Sequence, residues 1–216
     1  MPHIRQPDKP WHLTILFCLT LIYLACTSRL SAYVLILVLQ GALVAGVHTL
    51  AFFGDFSWSH LVVAAAVLLV RTVIIPTYIV KIMHQLDMGH GDRTRRYHPG
   101  FLIQMAALVI GAFLISDQLS RVTPVNVIPL GAAVAGIAAG ALLIVRRRLL
   151  LAHVVGFLII ENGLFLLGIG VQAQMPWTIE LAGLLDLFVL IFLMGIAINQ
   201  LKSHFPEGAE LTVLQD

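Results

Sequence analysis

Read for apolar and polar positions, the chain is a succession of long apolar runs separated by short polar breaks. About 20 consecutive apolar residues is the length an α-helix needs to cross a bilayer. Seven such runs can be drawn: Trp11–Thr27, Ala32–Phe53, Trp58–Val80, Phe101–Ser116, Ile128–Val145, Leu149–Val171 and Leu181–Gln200. The breaks between them carry the residues that end or turn helices. They are Arg29, the segment from Gly54 to Ser57, the turn Asp117–Asn126 with Pro124, the triplet Arg146–Arg147–Arg148, and the turn Gln172–Glu180 with Pro176. One break is longer, residues 82–100, and holds most of the loop polarity in the stretch HQLDMGHGDRTRRYHPG. The pattern predicts an all-α fold, a polytopic membrane bundle of about seven transmembrane helices. It divides the chain into a tail (1–10), helices one to three (11–81), a cytoplasmic loop (82–100), helices four and five (101–145), helices six and seven (146–202) and a second tail (203–216).

Composition sharpens this picture. Apolar residues make up 59% of the chain and charged residues 11%, against about 25% charged in a soluble domain. So apolar a chain is neither a soluble enzyme nor a disordered segment. The net charge of +2 is too small to point to nucleic acid. Arg5 and Lys9 precede the first run, and Leu24–Ala25–Cys26 faintly resembles a lipoprotein cleavage site. The run is long and its basic flank weak, so it is read as a span. Cys18 and Cys26 both fall in it and form neither a metal-ligand pattern nor a disulfide framework.

The basic residues set an orientation. With seven spans, Arg5, Lys9 and Arg121 fall on one side; Arg29, Lys81, Arg93, Arg95, Arg96, Arg146, Arg147, Arg148 and Lys202 fall on the other. Three against nine places the N-terminus outside and the C-terminus in the cytoplasm, in the inner membrane of the cell.

Candidate chemistry is confined to ionisable residues inside the runs. Nine of the eleven acids lie in loops, turns or tails, and two do not: Glu161 in the sixth run and Asp186 in the seventh. A carboxylate in hydrocarbon is costly, so such a residue usually faces the bundle interior and has a task. At about 1.5 Å per residue, Glu161 lies about 20 Å from Arg148 and Asp186 about 24 Å from Lys202, at similar depth. Low dielectric disfavours the ionised form, which makes each a candidate reversible proton carrier. The alternative is that each only hydrogen-bonds helices together. Arg71 is the one cation inside a run, about 15 Å from Lys81. It must pair with a carboxylate or line a wet cavity. Pro76 removes a helix hydrogen bond nearby and frees a carbonyl. Arg71 beside a broken helix suits an ion path; a fixed ion pair with Glu161 or Asp186 is the plainer alternative. His153 and His48 can relay protons near neutral pH, or simply hold helices. Gln40, between these depths, can order water.

Gly136 and Gly140 form a GxxxG pattern in the fifth run, and Gly156, Gly163, Gly168 and Gly170 line the sixth, as close helix packing requires. The loop residues His84, His90, His98, Asp87 and Asp92 have no standard zinc spacing and read as a solvated loop. No phosphate loop, nucleophile constellation, haem pair or iron–sulfur motif is present, so no catalytic residue, metal or cofactor is expected. The last run has no lysine at its middle, which counts against a retinal protein.

The segment RRRLLLAHVVGFLIIENGLFLLGIG, a short turn and LAGLLDLFVLIFLMGIAINQLK, from Arg146 to Lys202, resembles the hydrogenase-4 component E (HyfE) family. The triplet Glu161–Asn162–Gly163 and the later Asp186 match that family's pattern most closely, and RTVIIP from Arg71 to Pro76 is similar to its basic residue followed by apolar residues and proline. The last spans also resemble the K subunit of NADH–quinone oxidoreductase and the C subunit of multisubunit cation/proton antiporters. Gly156 and Asn162 fit the K pattern. Leu158 stands where that pattern has its acid, and Glu161 follows one turn on, on the same helix face. The resemblance implies a non-redox membrane subunit, without catalytic residues of its own, of a complex-I-like membrane-bound hydrogenase or formate hydrogenlyase. Its expected partners are antiporter-like and membrane-anchor subunits and the lipid bilayer. Its expected task is coupled proton or sodium movement through buried charges. A subunit of a cation/proton antiporter and a structural spacer without ion transfer are the alternatives. A free-standing transporter ranks lower, because no inverted repeat or pair of broken helices is visible.

Overall fold

The computed structural model describes residues 11–27, 30–51, 69–85, 99–147, 150–171 and 195. These are all-helical, with six α-helices: α1 (Trp11–Cys26), α2 (Leu30–Ala51), α3 (Ile75–Gln85), α4 (Pro99–Ser120), α5 (Val127–Arg146) and α6 (Leu150–Gly170). A π-helical turn, Val70–Ile74, leads directly into α3. Three helices, α4, α5 and α6, are long and apolar enough to cross a membrane as described. The seventh expected span, 181–200, lies outside the described residues apart from Gly195, as does the first half of the third.

Helix bounds differ from the hydropathy pattern around α4. The expected span Phe101–Ser116 begins at Pro99 and runs on to Ser120. Proline suits the first turn, where its fixed φ is already helical and its missing N–H is not needed. At the other end Arg121 reaches back to Asp117 at 2.7 Å, an i,i+4 pair that holds the last turn. The polar turn is therefore 121–126 rather than Asp117–Asn126. Likewise α3 runs through Gln85, so residues 82–85 and 99–100 belong to helices and not to the loop drawn at 82–100.

The core of the bundle is α5 against α6, and glycines set its geometry. A Cβ on Gly140 would stand 2.5 Å from the Gly156 carbonyl oxygen; one on Gly163 would stand 2.9 Å from the Ala133 carbonyl; one on Gly170 would stand 2.8 Å from the Leu130 nitrogen. The contact order, 130 with 170 and 140 with 156, makes the two helices antiparallel. Gly156, Gly163 and Gly170 recur every seven residues, so they stay on one side of α6 along its length. The α5 surface they meet is small in part: Ala133, Gly136 and Gly140 belong to it and are buried. In lipid, where hydrocarbon offers side chains no incentive to leave it, this backbone-to-backbone fit supplies van der Waals association.

The other helices dress this pair. α4 packs antiparallel on α5, with Phe113 over Gly131 and the Ser116 hydroxyl donating to the Val127 carbonyl at 2.7 Å. α1 and α2 are antiparallel, with Leu13 beside Gly46 and Thr20 bonded to Gln40. α1 also packs on α4 and α5, and α2 on α6, α3 and the π turn. α4 is peripheral: 22% of its apolar stretch is buried, against 50% for α5 and 56% for α6. Its outer stripe of Ile103, Ile110 and Leu114 is exposed, as a lipid-facing helix side should be.

Candidate functional site

Among the described residues the polar side chains buried in the bundle are Thr14, Thr20, Gln40, Ser116, Glu161 and Asn162. Glu161 is 1% exposed, and Asn162 beside it 5%. The position of Glu161 follows from the glycines. Gly163 faces α5, and two residues are about 200° of helix rotation, so Glu161 is turned away from α5. α2 is the other described helix packed on α6. Both Glu161 and Asn162 engage a neighbour, as does the half-buried His153 one turn from the Arg148 end of α6.

A second polar cluster joins α1 and α2. The Thr20 hydroxyl donates to the Phe17 carbonyl at 2.6 Å. The Gln40 amide nitrogen donates to the Thr20 oxygen at 2.8 Å. This chain of bonds fixes the amide. The threonine has one proton and has given it to Phe17, so its oxygen can only accept, and the –NH2 of Gln40 must face it. Oε1 then points the other way, buried, with no hydrogen-bond partner among the described residues. An unpaired amide carbonyl in a dry interior costs about 1–3 kcal/mol.

The two clusters share one slab of the bundle. The Phe17 ring lies 3.2 Å from where a Gly136 Cβ would be, and the Cα of Gly163 lies 3.3 Å from the same point. Thr20 is one turn from Phe17, and Glu161 half a turn from Gly163. By helix rise the clusters are within about 8 Å of each other in height.

Arg71 lies in the π turn, and its side chain is outside the described residues. The turn itself has a clear cause. Pro76, buried two residues into α3, has no N–H for the carbonyl a turn before it, and π turns recur where a helix is interrupted at functional sites. Thr72 in that turn has a buried hydroxyl oxygen with no hydrogen-bond partner among the described residues. His48 is on α2, with its side chain outside the described residues; Asp186 is outside them altogether, so its distance from Glu161 is not part of this geometry.

Charges at the bundle ends are separated. Arg146 donates to the Gln104 side-chain carbonyl, and Arg147 lies 5.8 Å from the Phe101 ring centre. Arg121 and Asp117 pair at the opposite end of α4 and α5. Among the described residues no group of three His, Cys, Asp or Glu is placed to hold a metal ion. Cys18 is buried and Cys26 exposed, both as free thiols.

The hydropathy pattern puts Glu161 inside an apolar run and points to Gln40 as a residue that can order water. It did not find Thr20 as the partner of Gln40. The signal was present, since in antiparallel helices joined near residue 28 the positions 20 and 40 fall close to opposite each other. No family model matches the chain, and no solved structure does. The chain is similar to the uncharacterized protein Rv0085 of Mycobacterium tuberculosis, 26% identical over 192 residues, which cover 87% of this chain and 86% of that one.

Proposed function

We propose that the chain is a non-redox membrane subunit of a complex-I-like hydrogenase or formate hydrogenlyase, and that Glu161 takes part in coupled proton movement there. The observation that carries this reading is Glu161 itself, a carboxyl group 1% exposed near the middle of an apolar helix, with Asn162 buried beside it. A carboxyl group held so far from water is retained against a cost, which a proton-handling role explains. The π turn at Arg71 and the match of Glu161–Asn162–Gly163 and RTVIIP to hydrogenase-4 component E support the same assignment. In this reading seven spans lie in the inner membrane with the N-terminus outside. Asp186 sits at the depth of Glu161, Arg71 tunes both electrostatically, and His153 and His48 are relay candidates nearer the two faces. The chain then supplies one segment of a charged line that continues into antiporter-like and membrane-anchor subunits.

The test is Glu161→Gln in the intact complex. Assembly and hydrogen turnover should persist while proton translocation falls several-fold. Wild-type translocation in an assembled mutant refutes the role and leaves a structural one. The contact Glu161 makes with a neighbour and the glycine-tight packing of α6 favour that second reading. Co-purification separates either from an antiporter subunit, because a hydrogenase arm travels only with the first.

A further inference from the structure

We propose that Gln40 holds an internal water through its Oε1, and that this water carries the polar path of Glu161 on towards α1 and α2. The proposal rests on three features. Gln40 is fully buried in a helix of otherwise apolar neighbours, and its amide is oriented by Thr20 and, through Thr20, by the Phe17 carbonyl. That orientation leaves Oε1 as a buried acceptor with no donor on it among the described residues. Ordered water is the usual partner of a buried polar group that the protein leaves unmet, where the site has room for it. The site is also well placed. It lies in the same slab as Glu161, which is turned away from α5 on a helix that packs against α2. On the π turn, another element packed on α2, the Thr72 hydroxyl is a second buried oxygen without a partner among the described residues. Two unmet oxygens, one on α2 and one on a turn packed against it, suit a hydrated seam better than a dry one.

A Gln–Thr pair suits this task chemically. Neither side chain titrates near neutral pH, so neither traps a proton. Together they fix an acceptor that orients a water, and an oriented water can accept and pass a proton by exchanging hydrogen-bond partners. Gln40 is therefore a positioning residue and not a proton carrier.

The second half of the proposal depends on the coupling role of Glu161; the water itself does not, and the two are tested separately. For the water, the protein in lipid nanodiscs is exposed to millisecond X-ray pulses, and the hydroxyl radicals formed from bound water are located by mass spectrometry. Leu37, Val44 and Phe17, all buried around Gln40 and Thr20, should be oxidised in the wild type. The yield should fall several-fold in Gln40→Leu and in the gentler Gln40→Met, with helicity and melting checked for both. Absence of oxidation at these side chains in the wild type, or equal yields in wild type and folded variant, overturns the water site. For the path, Gln40→Met in the assembled complex should lower proton translocation several-fold without lowering hydrogen turnover. Loss of the water with translocation unchanged overturns the path. Normal translocation in Glu161→Gln instead overturns the coupling reading and leaves the water measurement standing.

Discussion

At the scale of single residues, the informative side chains are polar groups whose hydrogen-bond choices are forced. Thr20 illustrates this: one proton, committed to the Phe17 carbonyl, dictates which way the Gln40 amide faces. Thr20→Val removes the acceptor while keeping the shape, leaving a buried amide N–H unmet. The expected loss of stability is about 1–3 kcal/mol, read by reversible unfolding in bicelles, and Thr20→Ser should recover most of it. Ser116→Ala removes the hydroxyl that joins α4 to the Val127 carbonyl. About 1 kcal/mol should be lost in the same assay. The exposed Arg121–Asp117 pair should be worth well under about 1 kcal/mol, since water screens it.

At the scale of elements, the α5–α6 contact is specified by what its glycines lack. Gly140→Ala puts a methyl group 2.5 Å from a backbone oxygen, which cannot rotate away. The helices must separate, and overpacking of this kind costs about 1–3 kcal/mol. Gly111→Ala in α4, where nothing lies within 4 Å, is the matched control and should be neutral or slightly stabilising. The contrast, measured by unfolding of the two variants side by side, separates helix packing from helix propensity. Because Gly163 belongs to the same contact, a helix shift caused by Gly140→Ala should also disturb Glu161. Impaired coupling in that variant, with Glu161 untouched, is the expected outcome in a translocation assay.

At the scale of the whole molecule, Arg121 in the turn before α5 and Arg146 at its last residue flank a helix long enough to cross a membrane. Single cysteines at these positions, in a background lacking Cys18 and Cys26, should react with a membrane-impermeant maleimide from opposite faces. Arg121→Cys should be labelled in intact cells and Arg146→Cys only after the cytoplasmic side is opened. The reversed pattern would refute the orientation drawn from the basic residues, and labelling of both from one side would refute the span itself. The exposed apolar sides of α1, α2 and α4 wrap the outside of the bundle, so the described helices keep their polarity at the centre and at the ends.

Much of this was legible in the chain alone, for a definite reason. A bilayer imposes one length on every span and a high cost on every buried charge, so apolar runs and intramembrane acids stand out without any knowledge of contacts. That is why α1, α2, α5 and α6 fall within a few residues of the runs that predict them, and why Glu161 could be singled out. Helix ends at Pro99 and Ser120 were less legible, because caps and i,i+4 pairs extend a helix past its apolar stretch. What only the tertiary structure decided is which side of each helix meets which neighbour. Hydropathy is nearly uniform around these helices, so it cannot say that Gly156, Gly163 and Gly170 face α5, that Glu161 consequently faces away from it, or that Thr20 turns the Gln40 carbonyl inward. Those directions come from backbones close enough to exclude a methyl group and from a hydroxyl with a single proton to give.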